Sequence, residues 1–367
     1  MDMYIGVMSG TSVDGIDAVL VTINDGKIKV LNSVSQDFPD DLSDDVKNLL
    51  KTGETSLKKL GEIDHRLALS YADCVNKLIL DSGVERAKIV AIGCHGQTVY
   101  HAPGGKYPFT MQIGDGNLLA AKTGITSIVD FRRMDMAFGG EGAPLTPAFH
   151  HEHFRSENES RVILNLGGIA NITVLGKNEV IGLDTGPANC LIDLWIQNKR
   201  GERYDSNGDW ARSGQVNEEL LSLLLEESYF SLYAPKSTGK ELFNMDWLSH
   251  KLSNYIDITD EDVQATLTEL TVKTIANEVN IYAKDVEAIY VCGGGAYNVY
   301  LLERLRNYLP KVKVLPTTEL GIPVQLVEAV AFSWLAYRRI NEKAGNLHSV
   351  TGAEKDVLLG VVCKSKN

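Results

Sequence analysis

The sequence predicts an α/β protein built from two copies of one structural unit. Strand-like and helix-like segments alternate along the first third of the chain. A strand–turn–strand pattern occurs at residues 4–23 and returns at residues 162–175, and each copy is followed by further strands and helices. Such a duplication predicts two lobes with a cleft between them.

The individual elements follow from local sequence pattern. Short apolar runs rich in β-branched residues predict strands over residues 4–7, 18–23, 89–93, 162–175 (with a glycine turn inside), 180–183 and 288–292. Apolar residues at helical spacing predict helices over residues 43–50, 63–82, 267–283 and 324–337.

The boundary between the lobes is predicted from a break in these patterns. The glycine-rich stretch 139–144 fits neither a strand nor a helix. We therefore expect an N-terminal lobe of residues 1–135 and a C-terminal lobe of residues 136–367. This prediction also allows the final residues to pack back on the first lobe.

Composition and charge exclude several classes of protein. The chain has 367 residues, 44% hydrophobic and 23% charged, which is ordinary for a globular protein of about two domains. A formal net charge of −12 argues against a nucleic-acid partner, which requires a basic face. No apolar run approaches the roughly 18 residues of a membrane span, and no signal peptide is visible. Because the five cysteines are scattered, we expect reduced thiols in a cytoplasmic protein.

The turn between the first two predicted strands carries unusual chemistry. Ser9, Thr11 and Ser12 supply hydroxyl groups, and Asp14 and Asp17 supply carboxylates. Glycines within the turn let backbone amides face inward. Such a turn suits the phosphates of a nucleotide with their Mg2+ ion. The alternative is an ordinary glycine-rich hairpin turn, which needs only about two to five residues.

Two other predicted strands end in polar side chains, where ligands usually bind in α/β sheets. Asp184 follows strand 180–183 and is either a general base, a water-mediated metal contact, or a cap for the next helix. His95, Gln97 and Thr98 follow strand 89–93 and offer the hydrogen-bonding groups that a sugar requires. The alternative for His95 is that it only satisfies a backbone carbonyl.

Four further motifs are less specific. Gly167–Gly168 is a hairpin turn or a second phosphate cradle, and its pairing with the first copy favours the cradle. Gly293–Asn298 departs from a dinucleotide fingerprint in its third glycine and suits a backbone brought close to a flat base. Glu328 lies on an apolar helix and either faces an arginine or the cleft, or is solvated. The adjacent histidines of 150–153 do not face one way, so we expect no metal site there.

Taken in order, these segments resemble the sugar kinase, heat-shock ATPase and actin superfamily. Within it, the sequence resembles the bacterial anhydro-N-acetylmuramic acid kinases over nearly its full length. The matching segments are residues 5–17, 94–99, 112–116, 130–132, 139–145, 165–171 and 184–187. Such a set is far more specific than any one motif.

The resemblance implies a duplicated ribonuclease-H-like fold, the two-lobed actin-like ATPase fold with a central cleft, in which ATP binds between the lobes. It also implies a homodimer that acts in peptidoglycan recycling. The implied reaction converts 1,6-anhydro-N-acetylmuramate, ATP and water into N-acetylmuramate 6-phosphate and ADP, with Mg2+ accompanying the nucleotide.

The resemblance further implies roles for individual residues. Asp184 would be the catalytic base, and Asp14 would be a metal ligand. The sugar would be contacted by His95, Thr98, Arg132 and Glu328. The nucleotide would be bound by Gly10, Thr11, Ser12, Val13, Asp14, Gly15, Ile16, Asp17, Gly167, Gly168, Gly293 and Gly294.

One position departs from the family pattern, and three other functions compete. The family usually has glycine where this chain has Ala188, which leaves the local turn conformation open. The nearest alternative is a kinase of the same superfamily that acts on an ordinary hydroxyl. An actin-like chaperone or filament protein would need a peptide-binding domain, and a metal-dependent hydrolase would need a cluster of ligands. The sequence shows neither.

Overall fold

A computed structural model describes residues 2–10, 13, 15–24, 26–176, 179–253, 255 and 257–365. This part of the chain mixes strands and helices, which confirms the α/β class. The chain divides into two compact units. Unit 1 comprises Met1–His153 together with Leu326–Asn367, and unit 2 comprises Phe154–Gln325.

The elements are numbered in chain order. The strands are β1 (Met3–Met8), β2 (Gly15–Asn24), β3 (Lys27–Asp37), β4 (Ile89–Cys94), β5 (Gln97–Ala102), β6 (Phe109–Ile113), β7 (Ser127–Val129), β8 (Arg161–Leu166), β9 (Ile169–Leu175), β10 (Val180–Pro187), β11 (Ala288–Cys292), β12 (Lys313–Pro316) and β13 (Val361–Cys363). The helices are α1 (Asp40–Thr52), α2 (Leu57–Ser82), α3 (Gly116–Thr123), α4 (Arg133–Ala137), α5 (Thr146–Phe154), α6 (Asn189–Arg200), α7 (Asp209–Ser213), α8 (Glu218–Leu225), α9 (Met245–Leu252), α10 (Asp260–Tyr282), α11 (Val299–Tyr308), α12 (Val327–Ile340) and α13 (His348–Thr351).

Unit 1 is organised around a six-stranded sheet. Strands β1, β2 and β3 form an antiparallel meander, and β4 and β7 continue the sheet parallel to β1. Strand β13 pairs antiparallel with β7, which gives the order β13-β7-β4-β1-β2-β3. Strands β5 and β6 form a separate hairpin directly after β4.

Helix α12 packs closely on this sheet because two strands carry glycine there. A Cβ on Gly6 in β1 would overlap the carbonyl oxygen of Ala329, and one on Gly93 in β4 would overlap that of Phe332. No larger residue fits at either position unless the helix shifts. Side chains alternate along a strand, so Ile5 points to the other face, where it joins the core formed with α2. The two glycines thus determine the position of α12, which carries Glu328 in its first turn.

Unit 2 is organised around a five-stranded sheet of order β10-β9-β8-β11-β12. Strands β8, β9 and β10 form an antiparallel meander, and β11 and β12 continue it parallel to β8. The buried helix α10 packs against β9 and β10. In both units a three-stranded meander is extended by parallel strands beside its first strand. This repeat confirms the predicted duplication of a ribonuclease-H-like unit.

The division between the units differs from the predicted boundary at residue 135. Helix α5 is held within unit 1, where Phe149 packs on Trp334 with ring centroids 5.9 Å apart. Glu152 accepts hydrogen bonds from Trp334 and Arg338 of α12. The predicted boundary therefore lies inside unit 1. Residues 326–367 return to unit 1 through α12 and β13, as the prediction allowed.

Each predicted strand and helix is present, with shifts at its ends. Strand β2 begins at Gly15 and takes in the end of the predicted first turn. Helix α2 begins at Leu57, six residues before its predicted start. Strand β10 continues to Pro187, so Asp184 lies inside a strand. None of the helices in the described residues has the length and hydrophobicity to cross a membrane.

Candidate active site

Asp184 lies near the end of β10, where the pairing of that strand with β9 becomes irregular. Asp184 pairs with Asn171, but the register shifts before Gly186. An irregularity of this kind re-aims side chains at the end of a strand. Helix α6 begins at Asn189 with Ala188 at its N-cap, and no side chain caps it. The alternative prediction that Asp184 caps this helix is therefore wrong.

Asp184 is held by three hydrogen bonds to residues 229–238. The Thr238 N–H donates to the carboxylate Oδ2 at 3.0 Å. The Asp184 N–H donates to the carbonyl oxygen of Lys236 at 3.1 Å. The Tyr229 hydroxyl donates to the Asp184 carbonyl oxygen at 2.7 Å. Both the backbone and the carboxylate of Asp184 are therefore fixed from the same segment.

Burial raises the pKa of Asp184 to about 7. The N–H of Thr238 favours the carboxylate and lowers the pKa, whereas the nearby Glu241 raises it. A carboxyl with a pKa near 7 is a stronger base than an ordinary aspartate, yet much of it is ionised at neutral pH. Asp184 thus has the orientation and the basicity that a general base requires.

The sequence gives little indication of the segment that holds Asp184. Tyr229 is 45 residues and Thr238 is 54 residues from Asp184 along the chain. Contacts over such separations leave no local periodicity. The only signal was the small, polar run Ser237–Gly239, which is typical of a loop that offers backbone N–H groups.

The second glycine turn is a two-residue hairpin turn, and it is tied to the start of α6. Gly167 and Gly168 connect β8 to β9. The carbonyl oxygen of Gly168 accepts hydrogen bonds from the N–H groups of Ala188 and Cys190, each at 3.0 Å. A Cβ on Gly168 would lie 3.3 Å from Cε of Lys240. The turn therefore has a lysine side chain directly beside its backbone.

Ala188 stands at the N-cap of α6. Its φ is −110°, outside the left-handed region that favours glycine. The residue is also fully buried. The buried methyl group of Ala188 is therefore accommodated by the packing before α6.

The third glycine segment packs against the end of β8, beside the second turn. Gly293 has a φ of 81°, and a Cβ there would lie 2.5 Å from Oδ1 of Asn165. A Cβ on Gly295 would lie 2.6 Å from Cβ of Leu166. Gly294 differs, because a Cβ there would meet no atom of the described residues within 4 Å. A flat group can therefore approach the backbone at Gly294.

In unit 1, Arg132 and His95 form a hydrogen-bonded pair. The Nε and one terminal nitrogen of Arg132 lie 3.1 and 2.9 Å from Nε2 of His95. Arginine only donates hydrogen bonds, so Nε2 accepts and the imidazole proton lies on Nδ1. Burial and the charge of Arg132 hold the pKa of His95 well below its usual value. The imidazole is therefore neutral at physiological pH.

Glu328 adds a carboxyl group beside this pair, and Asp17 in turn acts on Glu328. Burial raises the pKa of Glu328, the charge of Arg132 lowers it, and Asp17 raises it. Burial also raises the pKa of Asp17, although the Ser35 hydroxyl donates to Asp17 Oδ1 at 2.6 Å and lowers the pKa. Burial lowers the pKa of Arg132 to about 10, which leaves the guanidinium charged at neutral pH. Glu328 and Arg132 therefore lie close enough to influence each other's pKa, which is compatible with the arginine interpretation of Glu328.

Arg132 is positioned by the glycine-rich loop that follows it. Its other terminal nitrogen donates to the carbonyl oxygen of Gly142 at 2.8 Å. The Gly142 N–H donates at 2.8 Å to the fully buried carboxylate of Asp135. Asp135 also accepts hydrogen bonds from the Asn346 amide and the Thr351 hydroxyl, both at 2.7 Å. These contacts explain why the 139–144 stretch belongs to unit 1.

Thr98 and Gln97 lie at the start of β5, just after His95. The Gln112 side-chain amide donates to the Thr98 hydroxyl oxygen at 3.2 Å. Gln97 is fully buried, and its amide donates to the carbonyl oxygen of Gly10 at 3.4 Å. Gln97 thus ties β5 to the first turn, which is a structural role.

The first turn is described only in part. Thr11, Ser12 and Asp14 lie outside the described residues, so their phosphate and metal contacts stay predictions. Val13 is buried with a φ of 58°, a conformation that β-branched residues rarely adopt. Its N–H donates to the carbonyl oxygen of Gly10 at 3.1 Å. Backbone strain of this kind clusters at ligand-binding sites.

The remaining predicted nucleotide contacts of the first turn belong to β2. Gly15, Ile16 and Asp17 pair with residues of β3. Among the described residues, no group of three histidine, cysteine, aspartate or glutamate side chains could hold a metal ion, and this includes the histidine-rich run 150–153. Mg2+ is commonly held by one or two carboxylates together with phosphate oxygens, so it does not require such a group.

Solved structures resemble the chain only distantly. An activator of 2-hydroxyisocaproyl-CoA dehydratase from Clostridium difficile has a TM-score of 0.46 at 15% identity and covers 93% of this chain and 96% of its own. A ROK family glucokinase from Streptomyces griseus has a TM-score of 0.41 at 15% identity, covering 90% and 99%. Scores this low carry no argument about the site.

Comparisons of sequence are far closer. The family model described as anhydro-N-acetylmuramic acid kinase matches residues 2–365. The curated protein of that name from Pasteurella multocida (strain Pm70) is 50% identical over 361 residues, which cover 98% of this chain and 96% of the relative. The one from Haemophilus influenzae is 51% identical over 371 residues, which cover 98% and 97%. The chain therefore belongs to the anhydro-N-acetylmuramic acid kinase family.

Proposed function

We propose that this protein phosphorylates 1,6-anhydro-N-acetylmuramate with ATP while water opens the anhydro ring, giving N-acetylmuramate 6-phosphate and ADP. Membership of a kinase family supports phosphoryl transfer, and the name of the relatives supplies the sugar. The observation that carries the proposal is Asp184, a buried carboxyl with a pKa of about 7 that is oriented by the Thr238 N–H. The reaction serves peptidoglycan recycling.

The chemistry follows from the substrate. The anhydro sugar has no free 6-hydroxyl to deprotonate, because O6 is bonded to C1. Asp184 instead takes a proton from water as the water oxygen attacks C1. The C1–O6 bond breaks with its electron pair on O6, and O6 accepts the γ-phosphoryl group as ADP leaves. This joins the water attack of an inverting glycosidase to in-line phosphoryl transfer.

The glycine segments of unit 2 suit a nucleotide. The open space in front of Gly294 allows a base or a phosphate to approach the backbone. The lysine beside Gly168 supplies positive charge near the turn. We assign the nucleotide to Gly167, Gly168, Gly293 and Gly294 together with the first turn, Gly10 to Asp17.

Mg2+ is part of the proposal. Its expected ligand, Asp14, lies outside the described residues. Asp17 in the same segment is a half-buried carboxyl, the kind of oxygen donor that Mg2+ prefers. When bound, Mg2+ would neutralise charge on the phosphates.

The group around Arg132 suits the sugar. A charged guanidinium recognises a carboxylate, such as the lactyl carboxylate of muramic acid, through two parallel hydrogen bonds. The neutral His95 and the carboxyl of Glu328 offer further hydrogen bonds to a polar ring. We assign these three residues, with Thr98, to the sugar.

The test is mass spectrometry of the product formed from ATP, Mg2+ and the anhydro sugar in 18O-labelled water. One heavy oxygen at C1 of a muramic acid 6-phosphate supports the coupled reaction. A sugar phosphate without heavy oxygen supports a kinase that acts on an ordinary hydroxyl. ATP turnover that does not depend on the sugar supports the chaperone or filament alternative.

We also propose a cytoplasmic homodimer. The family resemblance supports the dimer, and the requirement for ATP supports the compartment. Light scattering coupled to gel filtration measures the oligomeric state, and a monomer at micromolar concentration contradicts the dimer.

A further inference from the structure

A buried ion pair lies behind the candidate base. The Lys236 Nζ is 2.6 Å from Oε1 of Glu278, and the two side chains are only 1% and 6% exposed. The ammonium group also lies over the ring of Tyr229, 4.9 Å from its centroid. Desolvation offsets most of the attraction in a buried ion pair, so such a pair adds little to stability by itself. Stability alone therefore does not explain why the fold contains this pair.

The pair connects helix α10 to residues 234–238, which we call the anchoring segment. Glu278 and Tyr282 lie one turn apart on α10. The Tyr282 hydroxyl accepts a hydrogen bond from the Ala234 N–H at 2.6 Å. The anchoring segment is thus fastened to the helix at two points, and Thr238 at its end donates to the candidate base.

We infer that Lys236 and Glu278 are positioning residues for Asp184, because their ion pair holds the anchoring segment with the Thr238 N–H on the carboxylate. The inference rests on the proposed function, in which Asp184 is the base. Tyr229 also connects the ion pair to Asp184, because its ring contacts Lys236 and its hydroxyl donates to the Asp184 carbonyl oxygen. Buried behind the base, the pair acts through the backbone.

The variants must separate positioning from folding. A single replacement leaves one buried charge unpaired and destabilises the fold. The double variant Lys236→Met/Glu278→Leu removes both charges and leaves the net charge unchanged. Lys236→Arg keeps an ion pair. Arg212→Met/Glu303→Gln is the matched control, because it removes an ion pair of the same 2.6 Å length whose side chains are 43% and 45% exposed.

We expect kcat of the double variant to fall by about 10–100-fold, because small displacements of a reacting group have effects of this size. The acidic limb of the pH profile should move to higher pH, because the carboxylate loses a donor that favours its ionised form. Lys236→Arg and the exposed control should keep wild-type kcat and the wild-type limb. If the pair were purely structural, the double variant would have a lower thermal midpoint, but the acidic limb of its pH profile would not move.

A second variant covers the case in which the double variant does not fold. Tyr282→Phe removes the other anchor without touching a charge. We expect a smaller fall in kcat, about 3–10-fold, with the limb displaced in the same direction. Wild-type kcat and an unmoved limb in both folded variants would overturn the inference and leave the proposed function standing.

A readout that needs no turnover keeps the two proposals distinguishable. The Thr238 amide resonance should titrate with Asp184 near pH 7 in the wild-type protein, and this titration should weaken in the double variant. An unchanged titration would overturn the inference. Failure of the wild-type protein to make any sugar phosphate would overturn the proposed function instead.

Discussion

The sheets of the two units share the order of five strands, to which unit 1 adds β13, but the units arrange their ionisable groups differently. Unit 1 gathers charges of both signs, with Arg132 close to the carboxyls of Glu328 and Asp135 and hydrogen-bonded to a neutral His95. In unit 2, burial raises the pKa of the Asp184 carboxyl to about 7. Paired charges suit recognition of a polar ligand, whereas a desolvated carboxyl suits proton transfer. The same topology thus supports two kinds of chemistry.

The turns after the first strand of each meander also differ. Residues 9–14 separate β1 from β2, whereas only Gly167 and Gly168 separate β8 from β9. The shorter turn is tied by its carbonyl groups to α6. Duplicated units therefore diverge in their loops, where function usually lies.

The largest expected effect comes from removing the Asp184 carboxyl of unit 2. Asp184→Asn keeps the size of the side chain and an acceptor for Thr238, but it does not take up a proton. We expect kcat to fall by about 10²–10⁴-fold. We also expect higher stability at pH 8, because an ionised carboxyl with a raised pKa opposes folding. Assays of ADP release measure kcat, and thermal denaturation measures stability. Near-normal turnover would contradict the assignment of Asp184 as the general base.

The next effect is a pH dependence that separates activity from stability. Below pH 7, kcat/KM should fall about tenfold per pH unit as Asp184 becomes protonated. The stability contribution runs the other way, because the folded protein keeps a proton that the unfolded chain releases near pH 3.9. Asp184 therefore lowers stability as pH rises from about 4 to 7. A flat kcat/KM between pH 5 and 8 contradicts this prediction.

Removing the Arg132 guanidinium of unit 1 should affect both sugar binding and stability. Arg132→Met leaves the carboxyls of Glu328 and Asp135 without the positive charge of the guanidinium. We expect a loss of about 3 kcal/mol at neutral pH and a sugar KM at least roughly tenfold higher. The stability loss should shrink at low pH, where Glu328 becomes neutral. Urea denaturation measures the loss of stability, and sugar titrations measure KM. For both quantities, Arg132→Lys should give values between those of the wild-type protein and Arg132→Met.

The smallest effects come from a pair of glycine replacements, one in each unit. Gly93→Ala would overlap the Phe332 carbonyl oxygen, so we expect a loss of about 1–3 kcal/mol. Gly294→Ala meets open space among the described residues, so stability should change by less than about 0.5 kcal/mol. Its ATP KM should nevertheless rise, because the methyl group occupies the approach to the backbone. An unchanged ATP KM would remove Gly294 from the nucleotide site.

The sequence predicted the parts of the site that depend on local pattern. The glycine segments follow apolar strands, so their positions at strand ends could be read directly, whereas Asp184, predicted to follow its strand, lies inside β10. The anchoring segment could not, because its contact with Asp184 joins residues 54 positions apart. The unit boundary was missed for a similar reason, since α5 is retained by the distant Trp334. The left-handed backbone of Val13 could not be expected from a β-branched residue.

The discontinuity of unit 1 has a consequence for synthesis on the ribosome. Unit 2, residues 154–325, is one uninterrupted stretch and can complete its core while translation continues. Unit 1 must wait, because β13 and the helix that covers Gly6 and Gly93 come from residues 326–367. The first 153 residues therefore emerge early and finish folding last. A nascent chain released before residue 326 would expose an uncovered sheet, which is a target for chaperones and proteases.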